Sequence, residues 1–223
     1  MKTTEPYSDL YRRLLESIPK DRLIRDDLRR LAYGTDASFY RLIPRIVVKV
    51  ESEQEVIAIL HAANALLLPV TFRAAGTSLS GQAISDSVLV LLGPSWNGHE
   101  VLEDGRRIRL QPGVVGGHAN RFLRAFGKKI GPDPASIDSA MIGGIAANNA
   151  SGMCCGTAQN SYRTLHSMRI IFADGSVLDT GDRSSREAFA TSHPEVVEGV
   201  GGLAARVRAS ARLADRIRTK YKM

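Results

Sequence analysis

Between residues 46 and 92 the chain alternates short apolar runs with one amphipathic stretch. IVVKV at 46–50, PVTF at 69–72 and the apolar residues at 88–92 predict strands, because β-branched residues dominate and turn formers bound them. SEQEVIAILHAANAL at 52–66 predicts a helix opened by Ser52, with Glu55 as its capping-box partner three residues on. This is a small α/β unit. After Trp96 the pattern becomes shorter: RIRLQPG at 107–113 predicts a strand leading to a turn, 115–126 a helix, 168–172 a strand, and ADGS at 173–176 a hairpin turn into Val177-Leu178. Residues 8–33 predict two short helices interrupted near Pro19, with acidic residues set among arginines on exposed faces. Residues 183–198 are polar and predict an exposed connection with His193-Pro194 as a breaker. From 203 to 223, Leu203, Val207, Ala214, Ile217 and Tyr221 recur at helical spacing and predict an amphipathic helix. No internal repeat or low-complexity segment interrupts this order.

Two glycine-bearing stretches carry the candidate chemistry, RAAGTSLSG at 73–81 and PDPASIDSAMIGGIAANNASG at 132–152. In the first, Gly76 and Gly81 mark bends, Ala74, Ala75, Ser78 and Ser80 keep the floor low, and Thr77, Ser78 and Ser80 add hydroxyl donors. Consecutive amides turned into a concavity hold an anion with no side-chain entropy to lose. The same residue types also make an ordinary turn between strands. The second stretch has a stiff entry at Pro132 and Pro134. Its Gly143-Gly144 pair leaves room for a flat ligand against backbone, and Asn148 and Asn149 offer amide groups to a heterocycle edge. A buried helix start, with glycines allowing tight packing, is the other reading of 142–147. Neither stretch is a GxGxxG turn or a P-loop, so a phosphate would be held by backbone and hydroxyl donors without a lysine.

Taken in order, Arg73 to Gly81, Pro132 to Ser136, Ile142 to Gly144, Asn149 to Gly152 and IIFADGSVLDTG at 170–181 resemble the FAD-binding domain of the vanillyl-alcohol oxidase and p-cresol methylhydroxylase (PCMH-type) flavoproteins. Within that family the chain is most similar to the D-lactate, glycolate and D-2-hydroxyglutarate dehydrogenase branch. The resemblance covers roughly residues 40–182. It implies an α+β fold, the PCMH-type FAD-binding fold of two α/β lobes with the cofactor between them, plus N-terminal and C-terminal helices. The expected organisation is an N-terminal helical segment at 1–42 and the FAD domain at 43–182, with lobes at about 43–95 and 96–182. A connection and basic amphipathic helix follow at 183–223, and the chain reads as truncated before a cap domain.

By the resemblance, Arg73, Ala74, Ala75, Gly76, Thr77, Ser78, Leu79 and Ser80 surround the FAD pyrophosphate. Pro134, Ala135, Ser136, Ser139, Ala140, Ile142, Gly143 and Gly144 line the ribityl and isoalloxazine region. Ala147, Asn149, Ser151 and Gly152 complete it, and Ile170 supplies a backbone contact on the adenosine side. Three positions depart from the family pattern. Thr77 stands where covalent members often carry histidine, so FAD is expected to be non-covalent. Ala75 replaces a common glycine, and Cys155-Gly156 replaces Tyr-Gly. The implied activity is oxidation of a D-2-hydroxy acid by hydride transfer to FAD, with electrons passing to a quinone, cytochrome or iron-sulfur partner. The carboxylate-binding arginine and the base generally come from a part absent here, so no catalytic residue is named. An alditol oxidase, a UDP-N-acetylmuramate-forming reductase or a basic non-enzymatic binding module are the alternatives.

Composition changes this picture little. A chain of 223 residues, 43% hydrophobic and 24% charged, is ordinary for a globular protein. No apolar run approaches the roughly 20 residues of a membrane span, and the first fifteen residues lack the apolar core of a secretory signal, so the expectation is cytoplasmic, or peripheral to the inner face of the membrane. The net charge is +7, and residues 203–223 hold seven basic side chains against Asp215 alone. A solvated basic face on a docked helix is the preferred reading, because no aromatic platform accompanies the charge and no nucleic-acid partner is expected. Cys154 and Cys155 are adjacent and unsuited to a mutual disulfide or a zinc site, so reduced thiols are expected, packing as small apolar groups or lining the flavin pocket. His61, His99, His118, His166 and His193 are scattered, which fits surface or capping roles and no metal site.

Overall fold

The computed structural model describes residues 5–221, so the last two positions of the expected basic helix, Lys222 and Met223, lie outside the described residues. The chain forms two compact units, Met1–Thr164 with Ala173–Gly175, and Leu165–Phe172 with Ser176–Met223.

The first unit is built on a four-stranded sheet in the order β1-β2-β4-β3. Strands β2 (Ile46–Val50), β3 (Val70–Arg73) and β4 (Val88–Leu92) run parallel, and the short β1 (Leu23–Ile24) lies antiparallel on β2. Near-continuous apolar runs suit strands covered on both faces, and Ile46, Val47, Val48, Val50, Val88, Leu89 and Val90 are fully buried. Each such side chain contributes about 1.5–3 kcal/mol relative to leaving it in water.

Helix α1 (Glu5–Leu14) packs on α3 (Glu53–Ala65), while α2 (Asp27–Ala32) follows β1. Ser52 caps α3 by accepting from the Glu55 N–H at 3.3 Å, as the sequence predicts. Glu55 does not close the expected box on the cap residue. Its carboxylate instead accepts from the Glu51 N–H at 2.8 Å and holds Arg22 through two bonds of 2.8 and 2.7 Å. Arg22 lies just before β1, so this pair ties the start of that strand to α3.

Beyond β4, the hairpin of β5 (His99–Leu102) and β6 (Arg107–Leu110) leads to α4 (Gly116–Leu123) and a one-turn helix at Arg124–Phe126. Two short helices, α5 (Ile142–Ala147) and α6 (Ser161–Thr164), complete the unit. The second unit contains the hairpin of β7 (Arg169–Ile171) and β8 (Val177–Asp179), then α7 (Arg183–Ser192), α8 (Pro194–Ala209) and α9 (Ala211–Lys220).

Three expectations are corrected. The second helix in 8–33 begins only at Asp27, because Leu23 and Ile24 are buried and pair with Val48 and Val47. Residues 183–198 are helical: the Asp182 carboxylate accepts from the N–H groups of Ser184 and Ser185 and starts α7, and the break at His193-Pro194 is a helix boundary with Pro194 in the first turn of α8. The basic segment is two helices, divided at Ser210, which caps α9 by accepting from the Leu213 N–H. Its apolar stripe is not docked in a core, since neither helix has a buried residue.

Candidate functional site

The first glycine stretch leaves the carboxyl end of β3, the edge of a parallel sheet at which α/β proteins gather ligands. Gly76 and Gly81 have φ of +70° and +71°, a region open to glycine and strained for other residues, and they set the two bends. Inside the loop the Ser78 hydroxyl accepts from the N–H groups of Ser80 and Gln82 and donates to Gln82 Oε1. Among the described residues, the N–H groups of Gly76, Thr77, Ser78 and Leu79 and the Thr77 hydroxyl have no partner within the protein. Four successive unsatisfied amides in one bent loop are a set of donors that could hold an anion.

Arg73 underlies this loop. Its side chain is buried, donates to the carbonyls of Ala83 at 2.6 Å and Tyr33 at 3.1 Å, and runs beneath Gly76. Burial pushes the guanidinium pKa down and Asp36 draws it back up, and the group stays cationic. Asp36 accepts from the N–H groups of Ser38 and Ala83, while the Ala37 N–H reaches the Gly76 carbonyl at 3.0 Å. Burial alone would raise the Asp36 pKa; its hydrogen bonds from Ser38 and Ala83, with Arg73 nearby, hold it below the usual carboxylate value. A fixed positive charge therefore sits under a loop that has no lysine.

The second stretch is knitted to residues 112–117 by backbone bonds. The N–H groups of Gly116 and Gly117 donate to Ala140 and Ile137, and those of Ile142 and Gly143 donate to Val114 and Pro112. Residues 134–140 form a tight turn, with Ile137 donating to Pro134 and both Ser139 and Ala140 donating to Ser136. Asn149, at φ +45°, accepts from the Tyr162 N–H through its side chain. Gly152 lies against the Asp133 carbonyl, leaving no space for a side chain. The hydroxyls of Ser136, Ser139 and Ser151 and the Asn148 side chain have no protein partner among the described residues.

The paired glycines divide their duties. A Cβ on Gly143 would stand 2.9 Å from Pro112 Cβ and 3.3 Å from its carbonyl oxygen, so the missing side chain of this glycine serves packing against Pro112. A Cβ on Gly144 would meet one atom within 4 Å outside its own helix, the Ala74 Cβ at 3.4 Å. The two stretches, seventy residues apart in sequence, therefore meet at Ala74 and Gly144. Residues 142–147 form a helix with Ile145 buried, as the packing reading expects.

The remaining expected positions fall as follows. Ala75, Leu79 and Ser80 belong to the loop. Pro134, Ala135 and Ala140 frame the turn, Ala147 ends α5, and Ile170 pairs with Leu178 in the β7–β8 hairpin of the second unit. An open groove of about 360 Å³, lined by Tyr40, Arg41, Leu42, Ser80, Gly81 and Ile84, adjoins the loop's outer end. The sequence reading missed Asp36 and residues 33–38 that brace the loop; the TDAS string at 35–38, an Asx turn in the structure, is the signal that could have marked them. Cys154 is exposed and Cys155 buried, both as free thiols, and no metal-ligating cluster occurs among the described residues.

Residues 44–181 match a protein-family model described as FAD binding domain. The glycolate oxidase subunit GlcD of Escherichia coli (strain K12) is 32% identical over 171 residues, 75% of this chain and 34% of that protein. The D-lactate dehydrogenase of Archaeoglobus fulgidus is 30% identical over 197 residues, 84% of this chain and 44% of that protein. The structure of 6-hydroxy-D-nicotine oxidase from Arthrobacter nicotinovorans shares the fold, with a TM-score of 0.65 at 20% identity over 75% of this chain and 37% of that one. The chain thus spans between a third and a half of the length of these relatives.

Proposed function

We propose, on the premise that this chain belongs to the FAD binding domain family of the vanillyl-alcohol oxidase and p-cresol methylhydroxylase type, that it is the FAD-holding portion of an oxidoreductase acting on a D-2-hydroxy acid. The observation that carries the reading is the meeting of Ala74 and Gly144, which joins an amide cradle over a buried cation to a low helical floor.

The residues fit the cofactor. The free N–H groups of Gly76 to Leu79 and the Thr77 hydroxyl are donors for the pyrophosphate, with Arg73 acting through its charge from below. Ser136, Ser139 and Ser151 offer hydroxyls to the ribityl chain, Gly144 keeps the floor low, Gly152 lets the backbone close against Asp133 beside it, and the Asn149 side-chain NH2 and the Asn148 side chain are donors for polar ring edges. The backbone of Ile170 takes the adenosine side, and the lobes divide at about 95 and 96. Bound there, FAD would supply the two-electron acceptor for oxidation of the substrate. Thr77 gives no histidine for a covalent link, so FAD is held non-covalently.

The substrate class rests on the relatives, which are named for glycolate and D-lactate. The electron acceptor of the whole protein is a quinone, cytochrome or iron-sulfur module. No helix among the described residues is long and apolar enough to cross a membrane, and we place the protein in the cytoplasm or against the inner membrane face.

Titration of the purified chain with FAD tests the first half. A red-shifted flavin band with quenched emission, fully released on denaturation, is expected; an unchanged spectrum at large FAD excess rejects it. In the whole protein, anaerobic bleaching by glycolate, or by D-lactate or D-2-hydroxyglutarate but not their L-enantiomers, tests the second. FAD binding without bleaching by any of them removes the substrate class and leaves the cofactor reading standing.

A further inference from the structure

Helix α8 combines features that a solvent-facing helix does not need. None of its residues is buried, and Val196, Val200 and Leu203 are 37%, 65% and 59% exposed. Three glycines, Gly199, Gly201 and Gly202, occupy its interior, and a Cβ on any of them would meet nothing within 4 Å. Glycine is the poorest helix former after proline, and here nothing within the chain requires its small size. Among the described residues, Glu195 and Arg206 have no ion-pair partner.

These features share one geometry. At 3.6 residues per turn, Glu195, Gly199, Gly202 and Arg206 form a single ridge within about 60° of arc, with Val196, Val200 and Leu203 on the strip beside it. The ridge reads acid, glycine, glycine, base, and is symmetric about the midpoint between Val200 and Gly201. In an antiparallel pair of identical helices, positions on the same flank face each other. Turning a second copy about that midpoint sets Glu195 against the partner's Arg206 twice and Gly199 against the partner's Gly202 twice.

We propose that α8 is a self-association surface, on which two copies of this chain pair antiparallel through the ridge. Gly199 and Gly202 allow close backbone approach, Val196, Val200 and Leu203 lose exposure beside it, and the end charges set the direction and register. Helix dipoles agree, since each acidic N-terminus lies by a basic C-terminus. A seam about 24 Å long and one helix wide removes on the order of 500 Å² in total, which places the association among weak, reversible ones. The surface is independent of the FAD reading.

Sedimentation velocity of the intact chain from about 5 to about 500 µM tests this, with FAD affinity and circular dichroism recorded on each variant. The wild type is expected to show a monomer–dimer equilibrium. Arg206→Glu sets like charges together and weakens it about tenfold or more, and adding Glu195→Arg restores it to within about threefold. That double variant opposes both helix dipole preferences, so recovery cannot come from a better helix. Gly199→Gln and Gly202→Gln raise helicity yet abolish the dimer, with FAD binding unchanged. A wild type that stays monomeric overturns the proposal, including one that sediments instead with anionic vesicles; so does equal behaviour of the single and double charge variants, or dimerisation of the glutamine variants.

Discussion

Gly144→Leu separates the cofactor floor from the fold. The position is helical and a Cβ there meets only the Ala74 Cβ, at an ordinary 3.4 Å, so the helix itself tolerates the side chain and gains up to about 1 kcal/mol from losing a glycine. The three further carbons of leucine must lie over the Ala74–Gly144 seam. With FAD lying over that seam, the clash falls on the bound cofactor, and a penalty of about 1–3 kcal/mol, the size of other overpacked contacts, lowers FAD affinity roughly 5- to 150-fold. Flavin-emission titration, run beside a thermal melt, reads both quantities. Gly143→Leu is the control: its Cβ alone would stand 2.9 Å from Pro112, so it lowers the melting temperature as well. A Gly144→Leu protein that melts normally and binds FAD within about threefold of wild type would refute the reasoning.

Other perturbations test the brace under the loop. Arg73→Met leaves the carbonyls of Ala83 and Tyr33 without donors and costs about 2–4 kcal/mol, seen as a fall of roughly 5–15 °C in melting temperature. Gly76→Ala forces a side chain into φ +70° at about 1–2 kcal/mol, and is read as weaker FAD binding together with a lower melting temperature. Asp36 has a folded pKa below its ordinary 3.8, so its stabilising effect is complete above that value and is lost as the pH falls through the lower folded one. Acid titration of the melting temperature should therefore steepen below about pH 4, and Asp36→Asn should flatten that region while lowering stability at neutral pH.

Local signals carried the reading where the physics is local. The runs at 46–50 and 88–92 became strands because their apolar continuity suits burial on both faces, and Ser52 capped α3 because its hydroxyl needs only the amide three residues on. Leu23 and Ile24 were opaque: two residues have no period, and only pairing with Val48 and Val47 makes them a strand. His99–Leu102 was equally hidden, since its partner Arg107–Leu110 supplies the ladder.

The site divides the same way. Glycine spacing marked both stretches, yet Gly143 and Gly144 are indistinguishable in sequence, and about 100° of helical rotation gives one to Pro112 and the other to Ala74. Arg73 was read with the pyrophosphate group, and its two bonds to the carbonyls of Ala83 and Tyr33 were not legible, since both partners are set by the fold. The exposed stripe of α8 and α9 was read as docked because periodicity reports an apolar face and says nothing of what covers it.

The account stands on two distant backbone segments serving one cofactor. Amide proton–nitrogen spectra of the labelled chain, recorded as FAD is added, test that most directly. The account predicts that the signals of Gly76, Thr77, Ser78 and Leu79 shift with one saturation curve together with those of Gly144 and Asn149, the loop amides moving downfield as they gain an anionic acceptor. Shifts confined to one segment, or separate curves for the two, would contradict it.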